Sequence, residues 1–377
     1  MMKYKLWLAV CFLLSLFVIN NAAAQDALSL DQKIGQMLMV GFRGTDLTQA
    51  GFIAEAIKAQ RLGGVILFDY DVVTKQRGRN IDSATQLQHL TAQLQEQAKG
   101  SLLIAVDQEG GRIARLNPHN GFPTSLSHWQ LGQQNKPQLT LTEAGKIASQ
   151  LQTMGINLNF APVVDLCANP DNPVIARLER CFSSDPQQVA KQARLYMTAH
   201  HQAGVLTVLK HFPGHGSSKS DSHLGLTDVS QTWSPAELIP YRTLIATGPV
   251  DAIMVAHVFN SGIDQQFPAS LSAKTIHGLL REQLGFKGVV ISDDLQMAAL
   301  SKYYSLDEIL YRAIRAGTDI LVFGNNLAYD DTIVSKAIAA IKQQIHQKRL
   351  SEARIEQSYR RILQLKEKIG ADVCSQK

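Results

Sequence analysis

Long apolar runs are scarce in this 377-residue chain. The N-terminal one, from Leu6 to Ile19, has about 14 residues against the roughly 20 that a bilayer span needs. Cys11 lies early in that run with no small residue before it, which argues against a lipoprotein. No Gly-x-Gly-x-x-Gly string follows the first candidate strand, so a Rossmann-type nucleotide site has no support. Charge of one sign is not in excess either. The formal net charge of +5 falls to +3 without Lys3 and Lys5, and the remainder forms no basic stripe with interleaved aromatics, so no nucleic-acid partner is expected. Cysteine is sparse, at four residues. Cys167 and Cys181 flank a loop that an oxidising compartment can close as a disulfide, worth about 3 kcal/mol by chain entropy for a loop of about 15 residues. Two free thiols are the alternative, and Cys374 is left unpaired near the tail. Linkers, low-complexity tracts and sequence repeats are absent, so one domain is expected over 25–377.

What precedes residue 25 has the form of an export signal. Lys3 and Lys5 make a basic start, the apolar run follows, and Ala22-Ala23-Ala24 fits a small-x-small cleavage rule. The expectation is a signal peptide over 1–24, a mature start at Gln25 and an exported protein, periplasmic or secreted, with no stable membrane insertion. An uncleaved anchor is the alternative.

In the rest of the chain, short β-branched runs alternate with helical patterns, the signature of a parallel sheet with crossover helices. The runs fall at 37–41, 64–68, 102–107, 158–162, 206–210, 252–257, 289–292 and 320–323, with helices at 82–98, 142–154, 186–203 and 273–284 between some of them. Asp185-Pro186 with Gln188, Ser234-Pro235 with Glu237, and Ser305 with Glu308 mark helix starts as reciprocal capping boxes. Gly155, Gly204, Gly285 and Gly317 mark stops. Eight such units predict an α/β protein built as a single (β/α)8 TIM-like barrel, with a C-terminal helical extension over 330–369. On that extension Lys348, Arg349, Arg360 and Arg361 read as a solvated face.

Barrels of this kind carry their chemistry at the C-terminal ends of the strands. Polar residues gather there: Asp107, Gln108, Glu109 and Arg112 after the third run, Asp165 after the fourth, Lys210 and His211 at the fifth, His257 at the sixth, Asp293 and Asp294 at the seventh. The segment from Lys210 to Leu226, KHFPGHGSSKSDSHLGL, is the richest. A metal site of His211, His215 and His223 is one reading, but Pro213 and Gly214 remove the helical frame it would need. An acid/base pair of Asp221 and His223 is another, since a carboxylate beside an imidazole orients the ring and favours its protonated form. A Schiff base on Lys210 is a third, against which stand the adjacent histidine and the polar loop.

Four strings in this order, AVDQEGGR (Ala105–Arg112), KHFPGHG (Lys210–Gly216), DSH (Asp221–His223) and SDDL (Ser292–Leu295), resemble the β-N-acetylhexosaminidases of glycoside hydrolase family 3. The likeness covers nearly all of the expected mature chain. It implies a retaining exo-β-N-acetylhexosaminidase that works through a covalent glycosyl-enzyme. Asp293 would be the nucleophile, His223 the general acid/base and Asp221 its orienting partner. Asp107, Arg115, Arg180, Lys210 and His211 would hold the sugar, and His257 matches a motif position without a clear role. No metal or cofactor is implied; the expected partner is a carbohydrate with a terminal N-acetylhexosamine, taken by a monomer. Another family 3 exo-glycosidase of β-glucosidase type, or an N-acetylglucosaminide phosphorylase, are the alternatives. Relatives in this subgroup are often cytoplasmic and recycle cell-wall fragments, so the signal-like start sets this chain apart. Cys181 stands where serine is more usual, and a bridge to Cys167 would pin the loop that presents Arg180.

Overall fold

Eight apolar runs become eight parallel strands in the computed structural model, which describes residues 28–59, 61–98 and 102–369. The expected signal peptide over 1–24 and Cys374 lie outside the described residues. The strands are β1 (Leu38–Gly41), β2 (Gly64–Ile66), β3 (Leu103–Val106), β4 (Leu158–Asn159), β5 (Leu206–Phe212), β6 (Ala252–Val255), β7 (Val289–Ser292) and β8 (Leu321–Phe323). They run 7-6-5-4-3-2-1-8 round one sheet, each beside its sequence neighbour. The ring closes where Ile291 bridges Ile320 and the Ser292 amide donates to the Ile320 carbonyl at 2.9 Å. Every residue of these strands is buried, as expected when one face fills the barrel and the other is covered by helices.

Between the strands lie the crossover helices α1 (Gly51–Lys58), α2 (Ala84–Gln97), α3 (Pro137–Thr153), α4 (Pro186–Gln202), α5 (Ile239–Thr247), α6 (Lys274–Gln283), α7 (Leu306–Ala316) and α8 (Ile333–His346), followed by α9 (Glu352–Glu367). α6 is wound more widely than an α-helix; just past its end the Leu284 amide reaches the Leu279 carbonyl, five residues back, at 3.0 Å. Asp185, Ser234 and Ser305 cap their helices as expected, each worth about 1 kcal/mol. The reciprocal half of the boxes is not formed. Gln188 turns to the Gly132 carbonyl, Glu237 accepts from the Gly216 amide, and Glu308 pairs with Arg312 and Arg349. Tertiary partners outcompete the local ones.

The C-terminal extension is corrected in one respect. Arg360 is exposed and pairs with Glu356, but Arg361 is partly buried against Asp319 at 3.2 Å. Asp319 is fully buried at the start of β8 and also receives Arg281 at 2.6 Å, Arg354 at 3.5 Å and the Ser358 hydroxyl at 2.7 Å. A buried anion draws these cations inward, so α9 seals the base of the barrel. Among the described residues no helix is long and apolar enough to cross a membrane.

Candidate active site

At the opposite end the strands run out into a cavity of about 330 Å³. All eight residues singled out from the sequence, Asp107, Arg115, Arg180, Lys210, His211, Asp221, His223 and Asp293, line it. They come from the ends of β3, β4, β5 and β7 and from the loops that follow, so the barrel's geometry alone brings them together.

Its floor is an ion-pair network. The Lys210 ammonium lies 2.6 Å from Asp107 and 2.7 Å from Glu109. Arg180 grips Glu109 with two parallel bonds of 2.9 and 2.8 Å, and Arg115 stands 3.7 Å from Asp107. Burial pushes both carboxyls up, but the cations outweigh it and hold each below its ordinary value, Glu109 far below. Lys210 is thereby placed as a fixed cation with its hydrogens committed to two carboxylates, which is not the posture of a Schiff-base amine.

His211 is oriented from both sides. Arg180 donates to its Nε2 at 3.2 Å, so Nδ1 carries the hydrogen that Asp165 accepts at 2.6 Å. Asp165 also accepts the backbone amides of His211 and His215. His215 bonds to the Ser218 hydroxyl through Nδ1 and to the Ser222 hydroxyl through Nε2, and burial lowers its pKa to about 4. It therefore acts as a neutral tie that fixes Ser222, the residue between Asp221 and His223. The three histidines of the metal reading thus hold separate partners, and among the described residues no group of three is placed to hold a metal ion.

His223 itself is half-exposed, with Nδ1 at 2.7 Å from Asp221, which also accepts the His223 amide at 2.8 Å. The Asp221 bond raises the imidazole's proton affinity; burial opposes, and the Asp293 charge adds to the rise. Nδ1 is used by this pair, which leaves Nε2 for exchange with a ligand.

The two neighbouring aspartates on β7 differ sharply. Asp294 accepts the Gln296 and Gly324 amides at 3.0 Å each, and burial raises it to about 6. A Cβ on Gly324 would stand 2.5 Å from its carboxylate, so only glycine allows this approach. Asp293 accepts the adjacent Asp294 amide at 2.8 Å, and both aspartates reach the cavity. Burial pushes it up, but the neighbouring His257, His211 and His223 outweigh that and hold it at about 2. His257 does not line the cavity. It is fully buried, with Nδ1 on the Ser270 hydroxyl at 2.7 Å and Nε2 on the Asp294 carbonyl at 2.9 Å, and so fixes the aspartate pair from behind.

Glu109 and Asp165 were missed as site residues. Glu109 had a readable signal, since positions 107 and 109 share one face of an extended segment. Asp165 had none beyond its place at a strand end. Cys167 and Cys181 are joined by a disulfide, with Cα atoms 5.5 Å apart. The loop it closes carries Arg180, and also Asn172, whose amide donates to the His215 carbonyl and the Ser218 hydroxyl. One brace therefore supports both the sugar-side arginine and the root of the His223 loop.

Residues 29–365 match the Glycosyl hydrolase family 3 N terminal domain. A beta-hexosaminidase of Tolumonas auensis is 38% identical over 299 residues, covering 77% of this chain and 83% of its own. Beta-hexosaminidase A of Pseudoalteromonas piscicida is 32% identical, covering 94% of this chain and 64% of its own. Among solved structures, a glycoside hydrolase family 3 beta-N-acetylglucosaminidase from Paenibacillus sp. aligns with a TM-score of 0.82 at 36% identity, over 92% of this chain and 64% of that one. Beta-N-acetylhexosaminidase from Beutenbergia cavernae aligns with a TM-score of 0.78 at 31% identity, over 90% and 99%. The chain spans just under two thirds of the Pseudoalteromonas and Paenibacillus proteins. The family match runs from the helix Leu30–Gln36, just before β1, into α9, and the chain belongs to glycosyl hydrolase family 3.

Proposed function

We propose that this protein is a retaining exo-β-N-acetylhexosaminidase that removes terminal β-linked N-acetylglucosamine from oligosaccharides or cell-wall fragments. One observation carries the reading: Asp293 and His223 face one cavity with their proton affinities pushed apart, the carboxyl down to about 2 and the imidazole up. At neutral pH that provides an ionised nucleophile and a proton donor. The names of the relatives supply the sugar.

In the first step Asp293 attacks the anomeric carbon while His223 gives its proton to the leaving oxygen. Asp221 steadies the imidazolium. Asp107, Arg115, Arg180, Lys210 and His211 hold the hydroxyls of the sugar in the cavity, and Glu109 and Asp165 position three of them. Esterification removes the Asp293 charge, and with it one of the contributions that raise His223. The imidazole, having given up its proton, stays free of one; in the second step it takes a proton from water as the water oxygen bonds to the anomeric carbon, and the bond to Asp293 breaks to free the carboxylate and the sugar. Asp294 and His257 hold the turn in place. Export through a cleaved segment 1–24 agrees with the Cys167–Cys181 bond, which suits an oxidising compartment.

Labelling with a 2-acetamido-5-fluoro glycosyl inhibitor tests the central claim. The sugar should be found by mass spectrometry on the peptide containing Asp293, and Asp293→Ala should lose about 4 kcal/mol or more of transition-state stabilisation, a factor near 10³. Label on another residue, or near-normal turnover in that variant, overturns the assignment. Cell fractionation checks export; a cytoplasmic, uncleaved chain contradicts it.

A further inference from the structure

Several of the exposed large hydrophobic residues stand at the cavity mouth. Tyr70 is 37% exposed, Val72 45% and Leu327 38%, and all three line the cavity. Tyr70 and Val72 belong to a short hairpin after β2, whose strands pair Tyr70 with Arg77 and Asp71 with Gln76. This hairpin is held firmly. Asp71 is buried and receives both Arg43 and Arg79, and Arg79 also donates to the Asn325 carbonyl at 2.7 Å. Asn326 accepts the Val72 amide and donates to the Tyr70 carbonyl, at 3.0 Å each, which ties the hairpin to the segment carrying Leu327. An apolar surface so anchored is built, and water alone gives no reason for it.

Its position identifies its ligand. The cavity floor is closed by the ion-pair network, so a substrate enters by one end and its next unit must lie at the mouth. β2 and β5 are three places apart in the ring of eight strands. The hairpin therefore stands across the mouth from the loop bearing His223, and a leaving group protonated by His223 lies between them. Beside Tyr70 the cavity-wall Asp69 faces Arg77, Tyr70's partner across the hairpin, at 3.9 Å, so the two charges offset each other and leave no net charge to draw an ion. We propose that Tyr70, with Val72 and Leu327, forms a binding site for a neutral sugar ring on the leaving side of the cleaved bond, its C–H face lying on the Tyr70 ring; this rests on the glycosidase reading above.

The test compares kcat/KM for chitobiose with that for methyl β-N-acetylglucosaminide, which has no second ring. Tyr70→Ala should lower this ratio about ten-fold, or about 1.4 kcal/mol, while Tyr70→Phe should keep it. Leu327→Ala should lower the same ratio and gives a second measurement should Tyr70→Ala fail to fold. A ratio unchanged in Tyr70→Ala and Leu327→Ala overturns the proposal while leaving the hydrolase standing. So does a wild-type preference for a disaccharide whose second sugar carries a lactyl carboxylate. Wild-type protein that cleaves neither glycoside overturns the glycosidase reading, and the second site with it.

Discussion

Replacing Glu109 by Gln keeps the shape of the cavity floor and removes the charge that Lys210 and Arg180 share. Glu109 is 1% exposed and bonds both cations within 2.9 Å. Breaking a buried pair by removing one partner costs about 3–5 kcal/mol, because the other charge is left unpaired. Asp107 still neutralises part of Lys210, so the lower end applies. At about 2 °C per kcal/mol, the small end of the range for larger domains, the Glu109→Gln variant should melt about 6 °C below wild type near pH 7. The folded carboxyl lies below its unfolded value, so its stabilisation is present above about pH 4.3 and is lost as pH falls from there through the folded value. The two melting curves should therefore converge in acid. Calorimetry across pH checks both parts. Equal melting temperatures near neutrality, or a gap that widens in acid, would falsify the account of the floor as a charge-balanced network.

Three further outcomes follow from the site. His223→Ala should slow substrates with poor leaving groups more than activated aryl glycosides, and equal losses for both would argue against an acid role. Asp221→Asn removes the largest contribution that raises His223. The activity that depends on protonated His223, lost as pH rises through its folded value, should then be lost at lower pH; an unmoved alkaline limb of the kcat/KM profile contradicts the pairing. Reduction of the Cys167–Cys181 bond, or Cys181→Ser, should raise KM more than it lowers kcat, since Arg180 is next to the bond and lies on the sugar side. Identical kinetics in reductant would show that the brace is dispensable.

Most of the barrel was legible because its signals are local. Eight β-branched runs, capping residues at 185, 234 and 305, and glycines at 155, 204, 285 and 317, all at positive φ, lie where expected. The errors sit where distant partners decide. β4 was read to residue 162 and its named strand ends at Asn159, but single ladder bonds run on: the Phe160 amide donates to the Val106 carbonyl at 2.9 Å, the Ala161 carbonyl accepts the Val208 amide at 3.0 Å, and Val163 bridges Lys210. β5 was read to 210 and continues to Phe212, which pairs with Val255 across a shift in register. α3 begins at Pro137, five residues before the expected start, with Pro137 at its first position and Leu139 and Leu141 packed against the core. Arg361 looked like a surface charge until Asp319, 42 positions away in sequence, claimed it. At the site, motif membership was not enough: Glu109 lies inside AVDQEGGR and was passed over, and Asp165 became visible only through the histidine it steadies.

The cage round Asp319 ties the order of synthesis to the order of folding. The carboxylate sits beside the seam between β7 and β8, and its arginines come from α6 and α9. Nothing made before residue 361 can complete it, and an incomplete cage leaves an under-compensated anion under the barrel. The helix Leu30–Gln36, just before β1, joins the same end, through Lys33 on Glu356 and Gln36 with Lys366. That helix and α9 thus fasten one another, and the barrel stays unlocked until α9 is in place. Removing α9 should accordingly cost the whole barrel its cooperativity, far more than the surface a single helix covers.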